Sequence, residues 1–161
     1  MNAQADVQAV VFNLGGETFA LPVGNVRAIM DHREAFRMPQ GPEWLLGLIE
    51  VRGEAIPMVD LRVRLGLPAA AIGATTRILV VDVPMEHRTL ALGLVVDRVL
   101  DVASFAAGAV ETTPDIGVRW RSEYIEGVVR RQDGFVVLLA AAHIFSAEDG
   151  VLAQAHLDRA A

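Results

Sequence analysis

The sequence predicts an all-β protein with a few short helices, and three observations carry that prediction. Apolar residues alternate with polar or small ones over short runs, the runs are separated by glycine-centred turn signals at hairpin spacing, and no long stretch keeps the three-and-four spacing of an amphipathic helix. Sheets of this kind close into small barrels or stack as a sandwich. At 161 residues one well-cored domain is expected, since a chain of that size buries about 70% of its unfolded surface.

Residues 1–6 read as a loose end. From Gln8 the pattern alternates, with Val10, Phe12 and Leu14 on one face, until Gly15-Gly16 supplies the positive φ of a tight hairpin turn. Phe19, Leu21 and Val23 return on the same face. In Val23–Met30 the apolar positions Val26, Ile29 and Met30 are spaced three and four apart, which favours a helix over a strand. Asp31–Arg37 is a charged loop closed by Pro39 and Pro42, and Glu43–Leu46 makes one helical turn with Pro42 at its first position, where the missing N–H costs nothing.

Gly47–Arg62 is the centre of the pattern. A type II′ turn at Gly53-Glu54 sets Val51 opposite Ile56 and Ile49 opposite Met58 on one apolar face, and puts Glu50 beside Arg52 on the other. Pro57 cannot donate a ladder hydrogen bond, so its strand is an edge or its missing N–H points outward. Asp60 stands as N-cap of a short turn, Leu61–Leu65, that Gly66 ends. Pro68–Thr76 has no periodicity and reads as a loop.

The second half repeats the hairpin theme. Arg77–Val83 turns through Pro84–His87 into Arg88–Val96, whose Leu90, Leu92, Leu94 and Val96 share a face opposite the small Ala91 and Gly93. Asp97–Phe105 continues as a strand with a bend, Ala106–Trp120 is irregular with a turn at Thr112-Thr113-Pro114-Asp115, and Tyr124–Arg131 pairs with Phe135–Leu139 through Gln132-Asp133-Gly134. Ala140–Phe145 reads as a short helix. Residues 147–161 form a tail that Ser146 caps as a helix bearing Leu152 and Ala155.

Composition narrows the function. The chain is 53% apolar with a mean hydropathy of +0.39, yet its longest uncharged apolar run, Phe135–Phe145, falls well short of the roughly 20 residues of a bilayer span. The first residues carry no basic or apolar leader pattern, so a cytoplasmic protein without membrane insertion is expected. There is no Cys and no Lys; the 14 basic residues are all Arg, and the net charge is −6. Disulfides and thiolate metal sites are thereby excluded, and nucleic-acid binding is not expected of so acidic a chain.

No arrangement of catalytic groups emerges. His32, His87, His143 and His156 have no ligand spacing, so no metal is expected. Gly73-Ala-Thr-Thr lacks the Lys and second Gly of a phosphate loop, and no Gly-x-Ser-x-Gly elbow occurs. Asp97 and Asp101, four residues apart, could be an acid–base pair, but they read better as solvated positions because nothing nearby supplies a nucleophile. The expectation is a protein with no cofactor and no enzymatic activity.

Strand, Arg-Gly turn, strand with Pro and then Asp60-Leu61-Arg62 resembles the signature of the CheW-like family, adaptor proteins of bacterial chemosensory arrays. Four further stretches agree in order: Val26-x-x-Ile29, Pro39 to Pro42 to Gly47, Val96-Asp97-x-Val99, and Ser122-Glu123-Tyr124-Ile125-x-Gly127. The resemblance spans residues 7–146 and implies two SH3-like five-stranded barrels packed side by side with a shared core. It implies partners as well: a chemoreceptor cytoplasmic tip held in a groove formed by Val26, Ile29, Gly47, Arg52, Val96 and Val99, and the regulatory domain of a CheA-type histidine kinase, met through end strands of like barrels. The location implied is at receptor arrays beneath the inner membrane.

In the resembling proteins Arg52 pairs with a Glu at the position held here by Ala28. An arginine buried without a partner costs about 3–5 kcal/mol, so Glu50 is expected to pair with Arg52, with Asp31 or Asp60 as second choices. Two rival functions stay open. One is a related adaptor in a pathway for pili, biofilm or a second messenger; the other is a small-ligand barrel, for which only Arg52 and Glu50 offer polar groups to a pocket.

Overall fold

A chain with apolar residues on both faces of its strands needs two layers of core for each sheet, and the first hairpin shows how this one obtains them. In a computed structural model, which describes residues 6–39, 41–68, 70–85, 87–111, 124–131 and 134–145, β1 (Val7–Leu14) and β2 (Glu17–Pro22) are joined through Gly15 and Gly16 at φ +58° and +85°. One face gives Val10, Phe12, Leu14, Phe19 and Leu21 to a large central cluster. The other gives Ala9, Val11 and Ala20 to a second, smaller one.

After a 3-10 turn at Val23–Asn25 the chain forms β3 (Val26–Asp31), not the helix expected from its spacing. A bulge between Val26 and Ala28 explains the pattern. It sets Val26 opposite Val81, then Ala28 opposite Val80 and Ile29 opposite Leu79, so strand alternation restarts after one extra residue and imitates a helical period. Val23, expected on the strand face, lies in the exposed turn. Glu43–Leu46 is likewise no helix: Leu45 N–H donates to the Pro42 carbonyl at 3.0 Å to close a single turn, and β4 begins at once.

β4 (Leu45–Val51) and β5 (Glu54–Asp60) turn through Arg52 and Gly53 at φ +50° and +82°, the two positive angles of a type I′ turn. The expected Gly53-Glu54 turn is therefore corrected by one residue, and the register moves by two: Ile49 faces Ile56 and Val51 faces Glu54. An even shift keeps every side chain on its face, so Ile49, Ile56, Met58 and Val51 still gather in one core. Pro57 is not on an edge strand, because β5 lies between β4 and β7; pairing with β7 begins at Met58, just past the missing N–H. Asp60 caps α1 (Leu61–Arg64), its carboxylate accepting from Arg62 and Val63 N–H.

β6 (Arg77–Pro84) and β7 (Thr89–Val96) complete a five-stranded sheet in the order β3-β6-β7-β5-β4. The segment beyond β3 closes it, since Phe36 and Leu48 exchange backbone hydrogen bonds of 2.8 and 2.9 Å. Gly47 makes room: a Cβ there would lie 2.2 Å from the Phe36 carbonyl oxygen.

The chain then crosses to the first sheet as β8 (Arg98–Phe105), followed by a 3-10 turn at Ala107–Ala109 and the two-residue β9 (Val110–Glu111), in a stretch expected to be irregular. β10 (Ile125–Arg131) and β11 (Gly134–Leu139) pair as expected, and α2 (Ala141–Ile144) follows. This sheet has six strands, β8-β1-β2-β11-β10-β9, one more than five because of β9. Its two edges meet in one interior, where Phe105, Ala103 and Val110 pack with Val11, Val129 and Leu138.

Two curled sheets, each around its own small core, thus share the larger cluster between them, to which Leu79, Val81, Leu90, Leu92, Leu94 and Val96 contribute from one side and Phe12, Leu21, Val137 and Leu139 from the other. The turn at residues 112–115, the loop residues Gln132 and Asp133, Ser122, Glu123, His156 and the tail 147–161 lie outside the described residues.

Candidate functional site

The seam between the sheets is marked by one segment, Val96-Asp97-Arg98-Val99, where β7 ends and β8 begins. Asp97 gathers bonds from both sides. Its N–H donates to the Asn13 carbonyl at 3.1 Å and its carbonyl accepts from the Thr75 hydroxyl at 2.9 Å. Its Oδ2 accepts from Gly15 N–H at 2.8 Å, and its Oδ1 lies 3.0 Å from Arg62 Nη1.

Arg62 is 2% exposed. Its Nε also reaches Asp60 Oδ1 at 3.2 Å, and its Nη2 reaches Oδ2 at 3.5 Å. A guanidinium out of water requires charged acceptors along its edge, and here the capping aspartate and the crossover aspartate supply them. Asp97 is therefore neither a solvated position nor half of a pair with Asp101, which is exposed on β8.

One edge strand of each sheet, β3 and β8, turns a face toward the central cluster that the sheets share. Residues directly opposite in a ladder share a face, which fixes where these side chains point. Val26 and Ile29 pair with Val81 and Leu79, and Val99 and Val102 pair with Phe12 and Val10; all four partners belong to the central cluster. Val26 and Val99 pack on that cluster and are half-buried, whereas Ile29 and Val102 stand 44% and 60% exposed. The two outer strands thus border an apolar strip over the shared core.

The structure brings Val26, Ile29 and Val99 to this strip and puts Val96 beneath it, fully buried and with no surface of its own. Gly47 is elsewhere: it is buried against Phe36 at the closure of the second sheet, where its small size has a steric reason. Arg52 sits at the exposed hairpin tip. The expected Glu50–Arg52 ion pair does not form, and among the described residues no carboxylate pairs with Arg52; Asp31 instead meets Arg77 at 3.6 Å, and Asp60 meets Arg62. A residue in the turn itself projects away from the strand face that Glu50 occupies.

The tie between β3 and this hairpin is made by Arg27, whose Nη1 is 3.0 Å from Glu54 Oε1 and whose Nη2 is 2.6 Å from Asp82 Oδ1. The hydrogen bonds that Arg27 donates to Asp82 in particular, with that to Glu54, hold the guanidinium pKa above its ordinary value. Sequence reasoning passed over Val102, because a bulge at Leu100 inverts the alternation after Val99. It passed over Arg62 because nothing in the sequence separates a buried from an exposed arginine. The Asp-x-Arg spacing about an N-cap was the available signal.

Among the described residues no cluster of His, Asp and Glu could hold a metal ion, and no helix is long and apolar enough to cross a membrane. The model of the family described as the CheW-like domain matches residues 8–149. A protein of Rhizobium etli named probable chemotaxis protein CheW is 29% identical over 143 residues, covering 89% of this chain and 90% of its own. Protein PilI of Pseudomonas aeruginosa is 28% identical over 142 residues, covering 88% of this chain and 76% of its own. In fold, the chain resembles the crystal structure of the scaffolding protein TtCheW from Thermoanaerobacter tengcongensis, with a TM-score of 0.79 at 24% identity over 92% of this chain and 93% of that one.

Proposed function

The chain belongs to the CheW-like domain family, and on that premise we propose that it is a non-catalytic adaptor holding a chemoreceptor tip on one surface and the regulatory domain of a CheA-type histidine kinase on another. The family is one of scaffolds in chemotaxis. The observation that carries the finer reading is the strip between β3 and β8, where Ile29 and Val102 are exposed on either side of half-buried Val26 and Val99. An amphipathic helix laid into such a strip buries its own apolar stripe. Arg52 and Gly47 act differently in this reading: Gly47 shapes the sheet, and Arg52 offers an exposed cation to the partner.

The kinase surface is assigned to Phe36, 71% exposed where the second sheet closes on itself. A large aromatic presented on a rigid barrel end suits a contact between like modules. Two partners held at fixed separation let a change in one bias the other with no chemistry by the adaptor, at an array beneath the inner membrane. The similarity to Protein PilI supports a second reading, service in a pilus pathway; capture of kinases and receptors from the host separates the two.

The test is a binding series with the purified chain, a receptor cytoplasmic fragment and the kinase regulatory domain. Ile29→Asp and Val102→Asp are expected to weaken the receptor fragment about tenfold or more, equivalent to about 1.4 kcal/mol, and to spare the kinase domain. Phe36→Asp is expected to do the reverse. Receptor binding unaltered by both strip substitutions would refute the assignment.

A further inference from the structure

Asp97 collects its partners from both sheets: Asn13 and Gly15 from the β1–β2 hairpin, Arg62 from α1, and Thr75 from the loop before β6. It does so between Val96, in the floor of the strip, and Val99, on its border. Four bonds to one residue, two of them to its carboxylate, leave the crossover little freedom. Asp97 keeps 28% of its side-chain surface, whereas the Arg62 side chain keeps 3%. Of the two, the acceptor and not the buried cation is therefore the one that reaches solvent.

α1 adds a second tie between the sheets. Arg64 donates from Nε and Nη2 to the Ile144 carbonyl at 2.9 and 2.6 Å, and its guanidinium lies over the rings of Trp44, Tyr124 and Phe145. That tie joins α1 to α2. The Asp97 junction is the polar tie that sits at the crossover into β8, added to the shared apolar cluster that joins the sheets.

We infer that Asp97 is a positioning residue for docking at the seam: its carboxylate, shared by Gly15 and Arg62, fixes the distance between β3 and β8 at which a helix fits. This rests on the reading of the strip as the receptor surface, but the spacing itself can be measured without any receptor. The chain has no Cys, so Ile29→Cys and Val102→Cys give a clean pair of spin-label sites on the whole chain. A narrow distance distribution is expected in the otherwise unaltered chain. Asp97→Asn, which keeps an acceptor for Gly15 but removes the charge opposite Arg62, is expected to broaden or shift it.

Val136→Ala, in the small core of the six-stranded sheet, serves as a control that lowers stability without touching the junction, and its distribution is expected to stay narrow. Equal broadening in that control, or an unchanged distribution in Asp97→Asn, overturns the inference. Should Asp97→Asn not fold, hydrogen exchange on the unaltered chain decides: a protected Gly15 amide, further protected when the receptor fragment binds, supports it, and a Gly15 amide exchanging at the open-chain rate overturns it. In a fragment-binding assay, Asp97→Asn is expected to lose about tenfold in affinity while the kinase domain binds unchanged. If the fragment fails to bind the unaltered chain, the receptor reading falls and the distance measurement still judges Asp97.

Discussion

Arg52 and Arg62 stand just outside the two ends of one strand, β5, and the fold treats them in opposite ways. Arg52 occupies a hairpin tip at φ +50°, exposed and without a carboxylate among the described residues. Arg62 is buried between Asp60 and Asp97. The difference lies in what the backbone has already fixed around each. Asp60 is held as an N-cap by the N–H groups of Arg62 and Val63, and Asp97 by Gly15 and Asn13, so backbone groups fix both acceptors independently of the guanidinium. At the hairpin tip the backbone faces water and presents no such frame.

The largest test of this contrast is Arg62→Ala, which leaves one buried and one half-buried carboxylate unpaired. Breaking such a pair costs about 3–5 kcal/mol, or roughly 6–20 °C in Tm for a domain of this size. Arg52→Ala is expected to stay within about 0.5 kcal/mol. Denaturant unfolding of the two variants side by side measures the gap, and equal losses would abolish the distinction. Gly47→Ala comes next. It lies in the same hairpin as Arg52, yet an added Cβ would strike the Phe36 carbonyl oxygen at φ +145°. A cost of about 1–3 kcal/mol is expected, with amide protection lost at Phe36 and Leu48; this would show that the hairpin is tightly built and that only its tip tolerates change.

Arg27→Ala ranks below these. Its bonds to Asp82 and Glu54 tie β3 to β6 and to the hairpin, but the Arg27 side chain is 41% exposed, so no more than about 1 kcal/mol is expected. The loss should shrink further in high salt, where exposed charges are screened. A loss insensitive to salt would mean that Arg27 is closer in kind to Arg62 than its exposure implies.

The same contrast shows what was legible in the sequence. Hairpins such as Val10 to Leu21 and Arg77 to Val96 were readable because alternation and turn signals are local. β3 was not, because a bulge held in place by β6 breaks the alternation, and that bulge is a property of the pairing. The family resemblance named six residues together, but their depths and grouping were not legible: Val96 is fully buried, Ile29 is exposed, Gly47 packs against Phe36, Arg52 sits at the hairpin tip, and Val102 was hidden by the bulge at Leu100. Glu50 suits Arg52 only if both lie on one strand, whereas Arg52 belongs to the turn. Burial of Arg62 depends on Asp97, brought in from the far end of β7, and no local pattern records that approach.

Arg52→Gly should produce a small effect of the opposite sign. A non-glycine residue in the left-handed region costs about 1–2 kcal/mol, and glycine removes that strain at φ +50°. Against this, glycine loosens the unfolded chain by about 0.4–1 kcal/mol. The balance is a gain of a few tenths to about 1 kcal/mol, readable as a small rise in the denaturant midpoint. If Arg52 also meets the docked receptor, the same variant should bind the fragment more weakly while folding more tightly. Stability and affinity moving in opposite directions is the mark of a strained residue kept for contact, and a variant that improves both would leave the arginine at this turn without a physical reason.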